Sequence, residues 1–267
     1  MLTDDRPRPT VPYDWSWSLH PTVFIGTALL GAFYFYCIGP LRHKRGWGPP
    51  ASATQILSFC AALAVLLISL NGPVHDLSDY YLFSVHMIQH LVLTLVFPPL
   101  LLWGIPGWLL RPLALHPAVY PVARALSRPW LAALLFSASL AVWHLSPFYD
   151  LMMRSHQVHI ATHLMFMVTA TIMWWPVMSR IPELSRLQPL PGILYLFLVC
   201  LPMQVIGAMI TFSDGQLYPW YAAAPRTWGL SPLDDQRLGG LLMWIPGNLW
   251  IFGAIAILFF RWSKEDA

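Results

Sequence analysis

Long runs of apolar residues recur along the chain and are separated by short polar segments. Seven of these runs match or approach the length of about 20 residues that an α-helix needs to cross a bilayer, and the fourth is the shortest. They cover residues 22–39, 53–70, 81–103, 129–143, 156–176, 190–212 and 239–260. The pattern predicts an all-α, polytopic membrane protein with seven transmembrane helices in residues 22–260.

The composition supports this fold class. Hydrophobic residues make up 57% of the 267 residues and charged residues only 10%, whereas soluble domains carry about 25% charged residues. The chain is therefore not a soluble enzyme, and the lipid bilayer is its expected surrounding. The net charge of +3 is small and dispersed, so no nucleic-acid partner is expected.

Lys and Arg are distributed unequally between the two sets of connecting segments, and positive residues near span ends stay cytoplasmic. Ten lie in the first, third and fifth connections and the C-terminal tail, against five in the other set, which includes Arg6 and Arg8. This bias predicts an outer N-terminal tail (1–21) and a cytoplasmic C-terminal tail (261–267). Residues 1–21 lack the features of a signal peptide, so the first span is expected in the mature protein.

The chain contains 10 His, and in this orientation seven fall on the predicted outer side. At about 100° per residue, the i, i+4 pairs in the third and fifth spans each lie on one helix face, about 40° apart. Polar groups are costly inside a bilayer and usually functional there, so the cluster predicts a metal or haem site. The seven are His75, His86, His90, His144, His156, His159 and His163.

The expected donors favour copper among the metals. Two histidine pairs from facing helices would supply four imidazole nitrogens, which suit copper, zinc, iron or nickel. Met243 lies about one turn inside the outer surface, and thioether with imidazole favours Cu(I). Outer-side aspartates would orient imidazoles, although Asp76 and Asp214 are expected to be solvated loop residues.

Two other functions stay open. His90 facing His163 would satisfy the bis-imidazole ligation of haem, as in a haem-binding electron-transfer or haem-handling protein. An intramembrane zinc hydrolase comes third, because catalytic zinc sites use a nearby carboxylate base and the predicted spans contain no Glu and no interior Asp. A purely structural scaffold would leave the histidines unexplained.

Three segments of the chain are similar to a known family. They are SDYYLFSVHMIQHLVLTLVFPPLLLWGIP at the third span, VWHLSPFYDLMMRSHQVHIATHLMF before and within the fifth, and SPLDDQRLGGLLMWIPGNLW at the seventh. The segments lie within residues 78–250 and resemble the CtaG family of seven-span, membrane-embedded cytochrome c oxidase assembly factors. By this resemblance the matching site positions are His86, His90, His144, His159, His163, Asp235, Gln236 and Met243.

The resemblance implies a role in the maturation of haem–copper cytochrome c oxidase, with copper supply as the inferred chemistry. We therefore predict a non-enzymatic protein of the bacterial inner (plasma) membrane that binds copper as Cu(I). Its expected partners are cytochrome c oxidase subunits, a copper chaperone and the lipid bilayer. The predicted ligands are His86, His90, His159 and His163, with His144 and Met243 as additional ligands, and the residues expected around them or at the metal entrance are Asp79, Asp235, Gln236, His75 and His156.

Overall fold

A computed structural model describes residues 10, 11, 13, 15, 18–184, 186–226 and 228–265, and all regular structure within them is helical. The helices are numbered here in chain order. They are α1 (Pro21–Arg45), α2 (Ala53–Ser69), α3 (Gly72–Tyr80), α4 (Phe83–Gly104), α5 (Gly107–Ala114), α6 (Tyr120–Leu126), α7 (Pro129–His144), α8 (Ser146–Arg154), α9 (His156–Met178), α10 (Pro189–Thr211), α11 (Pro219–Ala222) and α12 (Pro232–Glu265).

Five of these helices, α1, α4, α9, α10 and α12, are each long and apolar enough to cross a membrane. The pairs α2–α3 and α6–α7 pass the same test together but are bent by 50° and 73°. On its own α7 has 16 residues, about 24 Å of helix, which is less than the roughly 30 Å of a bilayer core. The predicted all-α membrane fold is confirmed, with seven spans when each bent pair counts as one.

The connections differ from the predicted ones because several of them are helical. Helices α3, α5, α8 and α11 lie where only connecting segments were expected. Helix α12 begins at Pro232 and continues to Glu265, so its first turns and most of the predicted tail 261–267 belong to one helix. Residues 1–9 of the predicted outer tail, with Arg6 and Arg8, and residues 266–267 lie outside the described residues.

A proline in α4 creates the contact that ties α4 to α9. Pro98 has no N–H, so it cannot donate the helical hydrogen bond to the carbonyl of Thr94, and the preceding turn, Val92–Val96, is π-helical. The buried indole Nε1 of Trp174 in α9 donates to this carbonyl at 3.1 Å instead. The two helices that carry the histidine pairs are thereby joined by a hydrogen bond as well as by packing.

Small residues bring α10 and α12 close together. A Cβ on Gly240 would lie 2.6 Å from Thr211 Oγ1, and a Cβ on Gly207 would lie 3.0 Å from Trp244. Glycines at such positions let membrane helices approach backbone to backbone. On the other side of α12, Gly239 faces the ring of Phe83, so the start of α12 lies directly beside the start of α4.

Helices α3, α8 and α11 meet at one end of the bundle, which we call the histidine end. The indole of Trp220 in α11 donates to the carbonyl of Asp79 in α3 at 2.8 Å. The hydroxyl of Tyr218 donates to the carbonyl of His144 at 3.1 Å, and Ser146 at the start of α8 donates to the carbonyl of Leu217. These contacts cover the ends of the helices that bear the histidines.

Candidate metal centre

The N-terminus of α4 is fixed by a carboxylate from α12. The first backbone N–H groups of a helix have no intrahelical partner. In α4, the Asp235 carboxylate accepts hydrogen bonds from two of them, the N–H of Phe83 at 2.8 Å and the N–H of Ser84 at 3.1 Å. It also accepts from the Ser84 hydroxyl at 2.5 Å. The carboxylate is fully buried. Asp235 was expected near the ligands. It instead binds the N-terminus of α4 and thereby fixes the position of the helix that carries His86 and His90.

Three of the predicted ligands come together in a buried group, which we call the three-histidine group. His86 of α4 and His159 and His163 of α9 each place one ring nitrogen within 4.8 Å of the other two. The Nε2 atoms of His159 and His163 are 3.1 Å apart. Two imidazoles bound to one tetrahedral ion at about 2.0 Å have nitrogens about 3.3 Å apart, so small side-chain shifts would let one ion contact all three rings.

Groups at the histidine end contact the Nδ1 atom of His86. Its Nδ1 lies 3.0 Å from the Tyr221 hydroxyl and 3.2 Å from the carbonyl of Ser78, and the hydroxyl itself donates to that carbonyl. Because these contacts involve Nδ1, Nε2 is the nitrogen through which His86 would bind an ion. A partner on one ring nitrogen fixes the orientation of the other.

Asp79 brings a buried carboxylate to the group. Its Oδ1 lies 3.6 Å from His159 Nε2 and its Oδ2 lies 3.5 Å from His75 Nε2, while the Ser78 hydroxyl donates to Oδ1 at 3.2 Å. The side chain is 1% exposed and belongs to α3. A carboxylate here favours a bound cation, because it offsets part of the charge in a medium of low dielectric constant.

The aspartates correct two expectations. Asp79 and Asp235 lie just outside the predicted third and seventh spans and were expected in connecting segments, but they are buried members of helices, so a carboxylate is available inside the bundle. Asp76 is also buried rather than solvated, because it accepts from the Ser18 backbone N–H at 2.7 Å and from the Ser18 hydroxyl at 2.5 Å. Asp214 is exposed, as expected.

His90, His144 and Met243 lie beside the three-histidine group and form a second group around a small cavity. The ring of His90 is 4.2 Å from the His86 ring and 5.2 Å from the His163 ring, between centroids, and 6.4 Å from the His144 ring. Met243 and Met203 line the same cavity, whose volume is about 20 Å³. The structure thus divides the predicted ligands into two adjoining groups.

The other predicted residues lie at the margin. His75 is partly buried, and its Nδ1 lies 3.3 Å from Gln89 Nε2. Its ring centroid is 4.6 Å from that of His20. Burial, together with the nearby His75, lowers the pKa of His20. His156 is exposed at the start of α9 and does not join the three-histidine group. Gln236 organises the segment between α10 and α11, since it accepts from the Leu217 N–H and donates to the Gly215 carbonyl.

Sequence reasoning missed the aromatic residues around the histidines. Tyr221 contacts His86, and Tyr149 of α8 places its ring 5.6 Å from the His86 ring and 6.5 Å from the His144 ring. Trp220 fixes α3 through the carbonyl of Asp79. The available signal was the short aromatic segment LYPWYA in a predicted outer connection, where bulky apolar residues are not needed for crossing a bilayer.

The described residues thus form a helical membrane bundle in which three buried imidazoles lie close enough together to hold a metal ion. Residues 32–265 match the family described as cytochrome c oxidase caa3 assembly factor (Caa3_CtaG). The chain belongs to this family.

Three curated relatives are mycobacterial proteins described as uncharacterized. Those of Mycobacterium bovis and Mycobacterium tuberculosis are each 27% identical over 94% of this chain and 40% of their own length. That of Mycobacterium leprae is 28% identical over 86% of this chain and 37% of its own length. The chain thus spans about two fifths of the length of these relatives. No solved structure matches it.

Proposed function

We propose that this protein binds Cu(I) at His86, His159 and His163 and assists its delivery to cytochrome c oxidase in the bacterial inner membrane. The observation that carries the proposal is the convergence of three buried ring nitrogens within 4.8 Å of one another. Family membership supplies the context, since the family is one of cytochrome c oxidase caa3 assembly factors. Oxidase subunits are the proposed recipients and a copper chaperone the proposed donor.

The surroundings of the group support Cu(I) over harder cations. Imidazole binds copper well, and soft thioether donors select Cu(I) in particular. Met243 and Met203 lie on the cavity next to the three-histidine group, and Met153 is buried beside Tyr221. Three protein ligands also leave room for a ligand from a donor or recipient, which an ion in transit needs.

The space at the site supports an ion rather than haem. Sites for large organic ligands have volumes of about 300–1,000 Å³, whereas the cavity beside His90 and His144 has about 20 Å³. The ring centroids of His90 and His163 are 5.2 Å apart in an edge-on arrangement. A haem between these rings would require α4 and α9 to separate along much of their buried contact.

Asp79 is the observation that favours the zinc hydrolase, because a three-histidine site with a nearby carboxylate is the arrangement of a catalytic zinc site. The carboxylate is, however, engaged on both oxygens, with Ser78 and His159 on one side and His75 on the other. Such contacts suit a group that orients imidazoles. We therefore assign Asp79 this orienting role.

The direct test is copper content after anaerobic loading of the purified protein with Cu(I). We expect a His159→Gln/His163→Gln variant to bind one equivalent less than the wild type. The matched control is His43→Gln/His116→Gln, which changes two histidines outside the site and should leave the copper content unchanged. Undiminished copper in the first variant would refute the site. A Soret band in the protein as isolated would favour haem, and zinc retained with hydrolytic activity would favour the hydrolase.

Delivery is tested in cells. Deletion of the gene should lower the copper content of cytochrome c oxidase, and the His159→Gln/His163→Gln variant should fail to restore it while the control variant succeeds. An oxidase with full copper in the deletion strain would contradict the proposed delivery of copper.

A further inference from the structure

The second group, His90 with His144 and Met243, contains buried ring nitrogens without partners. Neither ring nitrogen of His90 has a hydrogen-bond partner, and neither does Nε2 of His144, among the described residues. The two residues are each 8% exposed. Buried polar atoms are nearly always satisfied in native proteins, and an exception calls for an explanation such as a bound ion.

The donors around this cavity differ chemically from the three-histidine group. His144 is oriented by the carbonyl of Leu140, 2.7 Å from its Nδ1, so Nε2 is the nitrogen through which it would bind an ion. Met243 and Met203 line the cavity and supply sulfur, which the three-histidine group lacks. The volume of about 20 Å³ exceeds the roughly 10–15 Å³ that a single water-sized occupant requires.

We propose that His90, His144 and Met243 form a second Cu(I) position, and that copper passes between it and the three-histidine group. This inference rests on the proposed function. His90 connects the two positions, because its ring centroid lies 4.2 Å from that of His86 and 6.4 Å from that of His144. Copper moves by exchange of ligands and keeps its charge, so no electron or proton donor is required. A thioether-containing second position holds Cu(I) more selectively than imidazoles alone.

The experiment measures the number of Cu(I) ions per chain and the sulfur coordination of copper. The wild type should bind two equivalents, and X-ray absorption should detect a copper–sulfur distance. His144→Gln and Met243→Leu should each bind one equivalent, and Met243→Leu should lose the sulfur signal. The control Met209→Leu, at an exposed methionine of α10, should retain both. Thermal unfolding of each variant establishes that it is folded.

The failures of the two proposals are distinguishable. One equivalent in the wild type, without sulfur and unaffected by His144→Gln or Met243→Leu, would overturn the second position and leave the three-histidine group intact. A wild type that binds no Cu(I) would overturn both.

Discussion

At the scale of single residues, one hydroxyl group orients the His86 ring. The Tyr221 hydroxyl donates to the carbonyl of Ser78 and lies 3.0 Å from His86 Nδ1. Removal of a group that orients a metal-binding imidazole weakens metal affinity by about 10–100-fold. The ring of Tyr221 makes separate contacts, including an edge contact with Phe83, and phenylalanine would keep them.

We predict that Tyr221→Phe weakens Cu(I) binding by about 10–100-fold and lowers the free energy of unfolding by about 1 kcal/mol. Competition with a Cu(I) chelator and thermal unfolding measure the two effects. The control is Tyr195→Phe, since Tyr195 also donates a buried hydrogen bond, to the carbonyl of Met173 at 2.7 Å, outside the histidine groups. It should lose similar stability and keep the wild-type affinity, and equal affinity in both variants would contradict the role of Tyr221.

The histidine pairs were predictable because the helical period places i and i+4 on one face. Their partners were not, because each contact joins residues far apart in the chain. Tyr221 and His86 are separated by 135 residues, and Asp235 and Phe83 by 152. A single sequence carries no distance information of this kind, so the role of Asp235 as a cap for α4 required the structure.

At the scale of helices, the contact between α4 and α9 depends on a missing hydrogen bond. Because Pro98 and Pro99 both lack an N–H, the carbonyl of Thr94 is available to Trp174. Loss of the indole N–H would leave that carbonyl buried and unsatisfied, which costs about 1–3 kcal/mol. An alanine in place of Pro98 would restore a helical donor to the same carbonyl.

We therefore predict that Trp174→Phe lowers the free energy of unfolding by about 1–3 kcal/mol in the wild-type background. In the Pro98→Ala background the same change should cost less, because the backbone N–H that the alanine introduces then donates to the carbonyl of Thr94. A double-mutant cycle of unfolding free energies measures this coupling. Additive effects of the two substitutions would show that Trp174 stabilises the pair by packing alone.

The pattern of apolar residues does not predict where helices bend. Apolar length predicted the spans, but the 50° bend between α2 and α3 follows from local chemistry and from a tertiary contact. Gly72 adopts a positive φ of 64°, which glycine tolerates, and Asp76 in α3 is held by Ser18, 58 residues away. The glycine was visible in the sequence, whereas the partner of Asp76 was not.

At the scale of the whole molecule, the site is assembled from segments that are distant in sequence. Helices α4 and α9 supply the three-histidine group, α3 supplies Asp79, α11 supplies Tyr221, and α12 supplies Asp235 and Met243. Most of these residues lie near helix ends at the histidine end of the bundle. Under the proposed function, the side of the membrane that this end faces decides where copper would enter, and the charge bias of the connections predicts the outer side.

Thiol labelling in intact cells tests this orientation. Asp214 is an exposed residue of the connection between α10 and α11, and Ala118 is an exposed residue of the connection between α5 and α6. An outward histidine end predicts that a membrane-impermeant maleimide labels Asp214→Cys in intact cells but labels Ala118→Cys only after the membrane is permeabilised. The unaltered chain is the control, because Cys37 and Cys200 are buried and Cys60 is partly buried.

The reverse labelling pattern would place the histidine end in the cytoplasm, and copper would then have to be loaded from that side. Under the proposed function, the histidine end is the expected side of entry in either case, because His75, 3.5 Å from the buried Asp79, is partly exposed there. With the predicted orientation, Cu(I) chelators added outside intact cells should slow copper loading of the three-histidine group, whereas chelators confined to the cytoplasm should have no such effect.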